Sequence, residues 1–457
     1  MEDLDLVARY LSQVEAACNS CNAFSLLQSV ALPPEGYKDL QEALGCQVRC
    51  YPPLTQAIDQ ACAGLDLSPS HAAQSKRLTS MVFELLSYIQ SYPPPHSNPP
   101  PPGAYDAWVK VYTSANAVFS LPDTVWITPA FKFITRQLVS LAIRTDCVAP
   151  SRLYTKTIDA AGRLSKSAGL AANDRTAAPA QQTKRIAVLS LANASFRAYF
   201  CLNNTRLCET VLGSVNNALL MNRRFAEESD SGENPYTMAE RVTYHYYLGK
   251  IRLFQHRVQL AAYHLRWAFD HCTTAHFHNK RTILIPLVAV YAILGRYASS
   301  TLLNRFDLQF VYGNMLQYLK TGNAYGVMQE LEKHRDWLRP RGIYMLLCEK
   351  LVLSLWRNLF QRCIRYQAQN DMSISNRPPT LHITNLVRPA QLAWNDTTLA
   401  EDDVECMVAN LVEQVSTRRP LTRQGLMKAY ILHSKGVVVL QRGPHKGFPP
   451  IASVYLS

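Results

Sequence analysis

Apolar residues recur three and four apart through most of this chain, and that spacing constrains its fold more than any other feature. Leu4, Val7, Leu11 and Val14 fall on one face of a first helix, and Met81, Leu85, Tyr88 and Ile89 on one face of another. Residues 189–220 and 244–360 continue the pattern almost without a break. A chain of 457 residues, 48% of them hydrophobic, has room for two or three domains and buries their cores without disulfide staples. Only 18 of its residues are glycine, which argues against an all-β barrel or a glycine-loop nucleotide enzyme. Such a composition also excludes wholesale disorder and a collagen-like fibre.

Inside the helical stretch, Leu248, Gly249, Ala261, Leu265 and Ala268 are spaced as in a tetratricopeptide helix pair. Gly249 lets two helices approach closely, and Ala261 and Ala268 let the second settle on the first. Further pairs, 287–294 with 302–306 and 315–319 with 327–331, extend this to a stacked-helix solenoid in which each pair buries its neighbour's apolar face. Three segments interrupt it. Residues 92–103 hold seven prolines and read as a polyproline-like linker or exposed loop. Residues 167–183 are rich in Ala, Asn and Gln and read as a second loop, and 227–235 as a third, mobile one.

The pattern changes after about residue 375. Pro378-Pro379 breaks the chain, and 399–414 opens with acids that suit a helix N-terminus. Val404, Met407, Val408 and Leu411 line one face of that helix. Two β-branched or alternating runs follow, 427–432 and 437–440, joined by His433-Ser434-Lys435-Gly436 as a turn. Helices and then a hairpin is the order of a winged helix, a DNA-binding relative of helix-turn-helix. The expected organisation is therefore mainly α: an N-terminal helical region (1–91), the Pro-rich linker or loop (92–103), helical repeats (104–240), a second set of repeats (241–354), a winged helix (355–445) and a tail (446–457).

Charge is uneven along this order. The formal net charge is +13, yet residues 1–150 carry 9 basic and 13 acidic side chains and the remainder 38 and 21. Residues 241–281 hold seven cations (Arg241, Lys250, Arg252, Arg257, Arg266, Lys280, Arg281) against Asp270 alone. Residues 415–457 hold seven more (Arg418, Arg419, Arg423, Lys428, Lys435, Arg442, Lys446) and no acid. A segment without carboxylates attracts polyanions.

The acidic start lacks the basic region of a secretory signal, and the longest apolar run, 283–294, is too short to cross a bilayer. A soluble intracellular protein with reduced cysteines is expected. Cys18-x-x-Cys21 and Cys46-x-x-x-Cys50 are spaced like halves of a zinc ribbon, but the first pair sits in a helical apolar pattern where thiols act as small core residues. His271, Cys272, His276 and His278 cluster where a helix ends, and Glu401-Asp402-Asp403 read as a solvated helix start. No Walker loop, Rossmann fingerprint, Gly-x-Ser-x-Gly or His-Glu-x-x-His occurs. No catalytic site, metal or cofactor is expected.

A helical-repeat array running into a winged helix resembles the PCI domain, an assembly module of the proteasome lid, the signalosome and translation initiation factor three. The resemblance rests on an ordered series of residues: Tyr244-His245-Tyr246-Tyr247-Leu248-Gly249; Ala268-Phe269-Asp270-His271-Cys272 with Asn279-Lys280-Arg281 and Ile283-Leu284; Gly342-Ile343-Tyr344, Glu349-Lys350-Leu351 and Arg357-Asn358-Leu359; Val404-Glu405-Cys406, Ala409-Asn410-Leu411 and Lys428-Ala429-Tyr430-Ile431 with His433. It covers roughly 190–445 and is closest to the signalosome-subunit-twelve-like branch, which includes the PCI subunit of a nuclear-pore-associated mRNA export complex. It departs from that branch at 415–424, inserted between the last helix and the first wing strand as a basic loop or a retained intron.

The resemblance implies a non-catalytic scaffold that pairs with a second PCI protein and holds a small acidic disordered subunit shared with the proteasome lid. It also implies a joint surface for DNA or RNA without strong sequence preference, and a place in nuclear mRNA export. Location in the nucleus, or additionally the cytoplasm, away from membranes, follows from it. A protein-only subunit of a signalosome- or lid-like assembly is the alternative. Lys428, Lys435, Arg442, Arg418, Arg419 and Arg423 are the residues expected to meet nucleic acid. Lys250, Arg252, Arg257 and Arg266, with Tyr246 and Tyr247 (and Trp267 beside them), are those expected to meet the acidic partner.

Overall fold

A computed structural model of the chain describes residues 2–50, 72–149, 153–226, 234–370, 379–413, 425–443 and 445–454. It divides into two compact units, Met1–Tyr244 and His245–Ser457. The first contains α1 (Glu2–Asn19), α2 (Ala23–Val30), α3 (Pro34–Cys50), α4 (Ala72–Ser91), α5 (Ala104–Phe119), α6 (Thr128–Val148), α7 (Thr155–Ala172), α8 (Val188–Cys201) and α9 (Leu207–Ala226). The division falls within α10 (Met238–Phe254).

In the first unit one of two alternatives is found at 92–103, and one expectation changes at 167–172. The Pro-rich segment after α4 is an ordered loop with Pro95 and Pro100 buried. Its carbonyls supply the reason: Arg144 donates to Pro95 O and Ser97 O, and Tyr37 and Gln41 both donate to Tyr92 O. Residues 167–172 are the last turn and a half of α7 rather than loop. Ala160, Ala161, Leu164, Ala168 and Ala171 are buried along it, an apolar face so small that its periodicity is easily missed in sequence. The loop that follows is organised by Arg185, whose side chain is fully buried. Arg185 donates to Asp174 O, Thr176 O, Ala178 O and the Asn222 side chain at 2.7–3.1 Å.

The second unit continues with α11 (Val258–His271), α12 (Phe277–Ile293), α13 (Ser300–Arg305), α14 (Gln309–Thr321), α15 (Ala324–Lys333) and the 27-residue α16 (Tyr344–Asn370). The tetratricopeptide-like spacing has the expected cause. A Cβ on Gly249 would lie 2.6 Å from Cγ of Leu265, so only glycine seats α11 against α10. Ala261, Leu265 and Ala268 are fully buried. The apolar run 283–294 is the central helix of this core, buried on nearly every side. No described helix is long and apolar enough to cross a membrane.

Beyond α16 come β1 (Thr380–His382), α17 (Thr384–Trp394), α18 (Glu401–Glu413), β2 (Ala429–Leu432) and β3 (Val437–Leu440). The sheet is antiparallel in the order β1-β3-β2. The hairpin and its turn lie where the sequence places them, with Gly436 at φ 57° closing the turn. The sequence reading missed β1, which pairs Leu381 with Val438 and covers one edge of the hairpin. The winged helix thus has three strands, and its core is built from Leu359, Phe360, Leu386, Val404, Val408, Leu411, Val438 and Leu440.

Two side chains of α16 lock the repeats, the winged helix and the C-terminal segment together. Arg357, 7% exposed, donates to Pro449 O (2.7 Å) and Phe448 O (3.3 Å). Asn358 donates to Leu319 O at the end of α14 (2.9 Å) and to the Tyr297 hydroxyl (3.0 Å). Replacing Arg357 by Met leaves buried carbonyls without a donor and should cost about 3 kcal/mol. A lowered thermal midpoint with faster amide exchange confined to residues 445–454 is the expected result; an unchanged midpoint contradicts it.

Candidate nucleic-acid and partner interface

The wing divides the three cations assigned to nucleic acid between its two ends. Lys428 is exposed at the foot of β2, where its N–H donates to Gly447 O (2.7 Å) and its carbonyl accepts from Gln441 N (2.9 Å). That pairing brings Arg442, just past β3, and the exposed His445 and Lys446 to the same foot. Lys435 stands at the other end, in the turn His433–Lys435. Strands of four residues separate the two ends by about 13 Å. Arg418, Arg419 and Arg423 lie outside the described residues.

The surroundings of the two ends differ in sign. His433 meets Glu405 of α18, Nδ1 to Oε1 at 2.7 Å. Glu401, Asp402 and Asp403 are exposed on the first turn of the same helix. Asp403 accepts from Ala400 N (2.9 Å), so these carboxylates complete the helix N-terminus, where the macrodipole favours them. In a helix-turn-helix protein the equivalent helix enters the major groove. Here it presents carboxylates to any approaching phosphate, and Lys435 shares that end. The foot, with Lys428, Arg442 and Lys446, belongs to a stretch that carries no acid from 415 to 457.

The outward face of the sheet mixes apolar side chains with Thr380 and His382. Register aligns Tyr430 with Val439 and Thr380, and Leu432 with Val437 and His382. Tyr430 is 59% exposed and Leu432 39%. Both were absent from the sequence-based site, although their alternation with Ala429 and Ile431, which face the core, marks them as outward.

The residues assigned to an acidic partner fall on α10 and α11, and they are not equivalent. Tyr246 packs against the repeat core, and burial pushes its hydroxyl far above the usual tyrosine range. Tyr247 lies 5.2 Å from it, ring to ring. Lys250 sits over the Tyr246 ring at 5.7 Å, and Arg252 donates to Gln255 Oε1 at 2.7 Å. Arg266 is bound to Asp270 at 2.6 Å, which offsets its charge. Arg257 is exposed at the N-cap of α11, and one and two turns on come Leu260 and Tyr263, 46% and 62% exposed, which the sequence reading passed over. Trp267 is sandwiched between His245 and His271, each 4.0 Å away ring to ring, while His264 donates to or accepts from His245 at 3.0 Å. Burial, aided by Arg252, lowers His264 to about 4.

Among the described residues, the thiols and histidines considered as metal ligands do not converge. Cys18 is buried in α1 and its thiol is pushed up to about 12, chiefly by burial, so it stays protonated. The side chains of Cys46 and Cys50 lie outside the described residues. His271 engages Trp267 O (2.8 Å), Cys272 is buried, and His276 and His278 face solvent. Among the described residues no group of three or more His, Cys, Asp or Glu could hold a metal ion.

Three relatives can be set beside this geometry. A PCI domain-containing protein of Schizosaccharomyces pombe is 28% identical over 393 residues, 83% of this chain and 81% of the relative. The PCI domain-containing protein 2 homolog of Drosophila melanogaster is 26% identical over 363 residues, 77% of this chain and 81% of the relative. PCI domain-containing protein 2 of Xenopus laevis is 29% identical over 280 residues, 61% of each chain. No family model matches the chain.

The His433–Glu405 contact makes a measurable pH prediction. The hydrogen bond and charge of Glu405, with Asp402 behind it, raise His433 above its ordinary value. Because the folded value is the higher one, the contact contributes in full below about pH 6.5 and fades as pH rises through the raised folded value. An NMR titration of the His433 ring should find it above a model histidine, and Glu405→Gln should return it to normal. A titration that Glu405→Gln leaves in place refutes the pairing.

Proposed function

The chain belongs to the PCI-domain family, and from that premise we propose that it is a non-catalytic scaffold subunit whose wing foot grips DNA or RNA by its phosphates. In this reading it pairs with a second PCI protein, holds a small acidic disordered subunit along α10 and α11, and works in nuclear mRNA export. The ordered motifs shared with the branch that includes a nuclear-pore-associated PCI subunit support the setting. The observation that carries the nucleic-acid reading is the asymmetry of the wing: Lys428, Arg442 and Lys446 gather at the foot, while α18 and its carboxylates stand at the tip. Contacts of this kind read charge and spacing rather than base edges, so binding would depend strongly on salt and weakly on sequence.

Fluorescence anisotropy of a labelled single-stranded oligonucleotide against the full chain tests it. Lys428→Glu with Arg442→Glu should weaken binding at least about tenfold and flatten the salt dependence by one to two phosphate contacts, roughly 0.7 per contact. Lys435→Glu should do much less, because that end already faces carboxylates. Affinity and salt slope unchanged by the foot substitutions would refute the assignment.

A second reading, a protein-only assembly subunit, is favoured by two exposed apolar side chains on the outer face of the sheet. Exposed Tyr430 and Leu432 next to an acidic helix suit a protein partner better than a phosphate backbone. Under it, Tyr430→Ala with Leu432→Ser should abolish co-purification of a second PCI chain from native cells while leaving the thermal midpoint within a degree or two. Retention of that chain by the double variant would argue against it.

A further inference from the structure

The loop that follows β3 holds a lysine in an unusual backbone conformation. Lys446 has φ 43°, in the left-handed region, between Gly443 (φ 140°) and Gly447 (φ 82°). Glycine accepts such angles readily, whereas a lysine there brings its Cβ against the following carbonyl oxygen. Strain of this kind persists only where the surrounding structure over-determines it, and it gathers at functional sites. Lys446 is exposed and makes no ion pair among the described residues.

Two anchors supply the constraint. The first closes the neck of the loop: Lys428 O accepts from Gln441 N (2.9 Å), and Lys428 N–H donates to Gly447 O (2.7 Å). A Cβ on Gly447 would lie 3.0 Å from Lys428 O and 2.6 Å from Cδ2 of Leu440, so glycine seats the neck. The second anchor lies beyond it. Phe448 and Ile451 are buried in the winged-helix core, and Arg357 holds the Phe448 and Pro449 carbonyls. Ile451 also fills the seat that Gly295 leaves at the turn between α12 and α13, where a Cβ would lie 2.7 Å from Ile451 Cδ1. Residues 447–451 therefore tie the foot of the wing to the repeats.

We propose that residues 447–451 act as a strap that positions Lys446 to meet a phosphate, and that the buried Ile451 sets nucleic-acid affinity through it. This positioning role rests on the wing-foot reading. It adds that the foot is not a patch of independent surface lysines: one of its cations is presented by a segment whose far end is seated in the repeats. A lysine at the tip of a free loop would spend its time away from the strand and would need no strained backbone. Held at both ends, Lys446 meets a phosphate without the entropy cost of ordering its loop on binding.

Fluorescence anisotropy of the full chain with a labelled single-stranded oligonucleotide, over a salt series, tests this together with amide exchange. Lys446→Asn suits a left-handed backbone but carries no charge. It should leave the thermal midpoint unlowered, weaken binding about fivefold near 0.1 M salt and flatten the salt dependence by one phosphate contact, roughly 0.7. Ile451→Ser should speed exchange at residues 445–451 and weaken binding by the same factor, and Ile451→Val should spare both. Ile451→Ser combined with Lys446→Asn should lose no more than either alone, because the two act through one contact. Full binding by Ile451→Ser or by Lys446→Asn, losses that add in full, or a segment that Ile451→Ser does not loosen would each overturn the positioning role. If Lys428→Glu with Arg442→Glu weakens binding and these variants do not, the wing-foot reading stands without the strap. If none of them does, that reading falls and the strap's role with it.

Discussion

The second unit is organised by a buried guanidinium. Arg357 lies within α16, a helix about 40 Å long that serves two cores in succession. Leu347, Leu351 and Leu355 belong to the repeat core, and Leu359, Phe360 and Ile364 to the winged-helix core. A cation at that junction is tolerated only if acceptors surround it, because its hydration is lost. The acceptors come from Phe448 and Pro449, near the end of the chain, and from the neighbouring Asn358 side chain at 3.2 Å. The next residue but one, Ile451, packs where a Cβ on Gly295 would lie 2.7 Å from its Cδ1, and Gly295 has φ 70°. The C-terminal segment is thereby fixed to both cores, and the loop carrying His445 and Lys446 is held at the wing foot.

What could be read from the sequence is what depends on near neighbours. Leu248, Gly249, Ala261, Leu265 and Ala268 declare a helix pair because their spacing is helical and their sizes complementary. The hairpin is equally local: a four-residue turn ending in glycine between two apolar runs. What escaped reading depends on partners far along the chain. Strand β1 has three residues and exists because β3, more than fifty residues later, offers it a ladder. Arg357 looks like an ordinary surface cation until its carbonyl partners 91 and 92 residues away are known. The prolines of 93–102 resemble a spacer until Arg144 is found to order their carbonyls.

The candidate site was legible as a list of charges but not as a surface. Lys428 and Lys435 are seven residues apart in sequence and end at opposite ends of a hairpin, since the length of β2 separates them. Arg266 loses most of its appeal to an anion because Asp270 sits at i+4, a pairing the sequence already contains. Tyr246 turns inward to the repeat core, whereas Tyr263, Tyr430 and Tyr366 turn outward. Burial decides which aromatic residues are available, and a helix in a solenoid buries faces according to neighbours that a single helical wheel does not contain.

The acidic start of α18 links stability to selectivity. A helix N-terminus is a ready anion site, because unpaired N–H groups and the macrodipole both favour negative charge. Glu401, Asp402 and Asp403 occupy that end with the chain's own carboxylates, and Asp403 satisfies the Ala400 amide. The same residues that stabilise the helix therefore exclude phosphate from the place where a winged helix ordinarily admits it. Glu405 extends this field to the wing tip through His433. A polyanion approaching this unit would meet carboxylates at α18 and, in sequence, none between residues 415 and 457, the stretch that includes the wing foot.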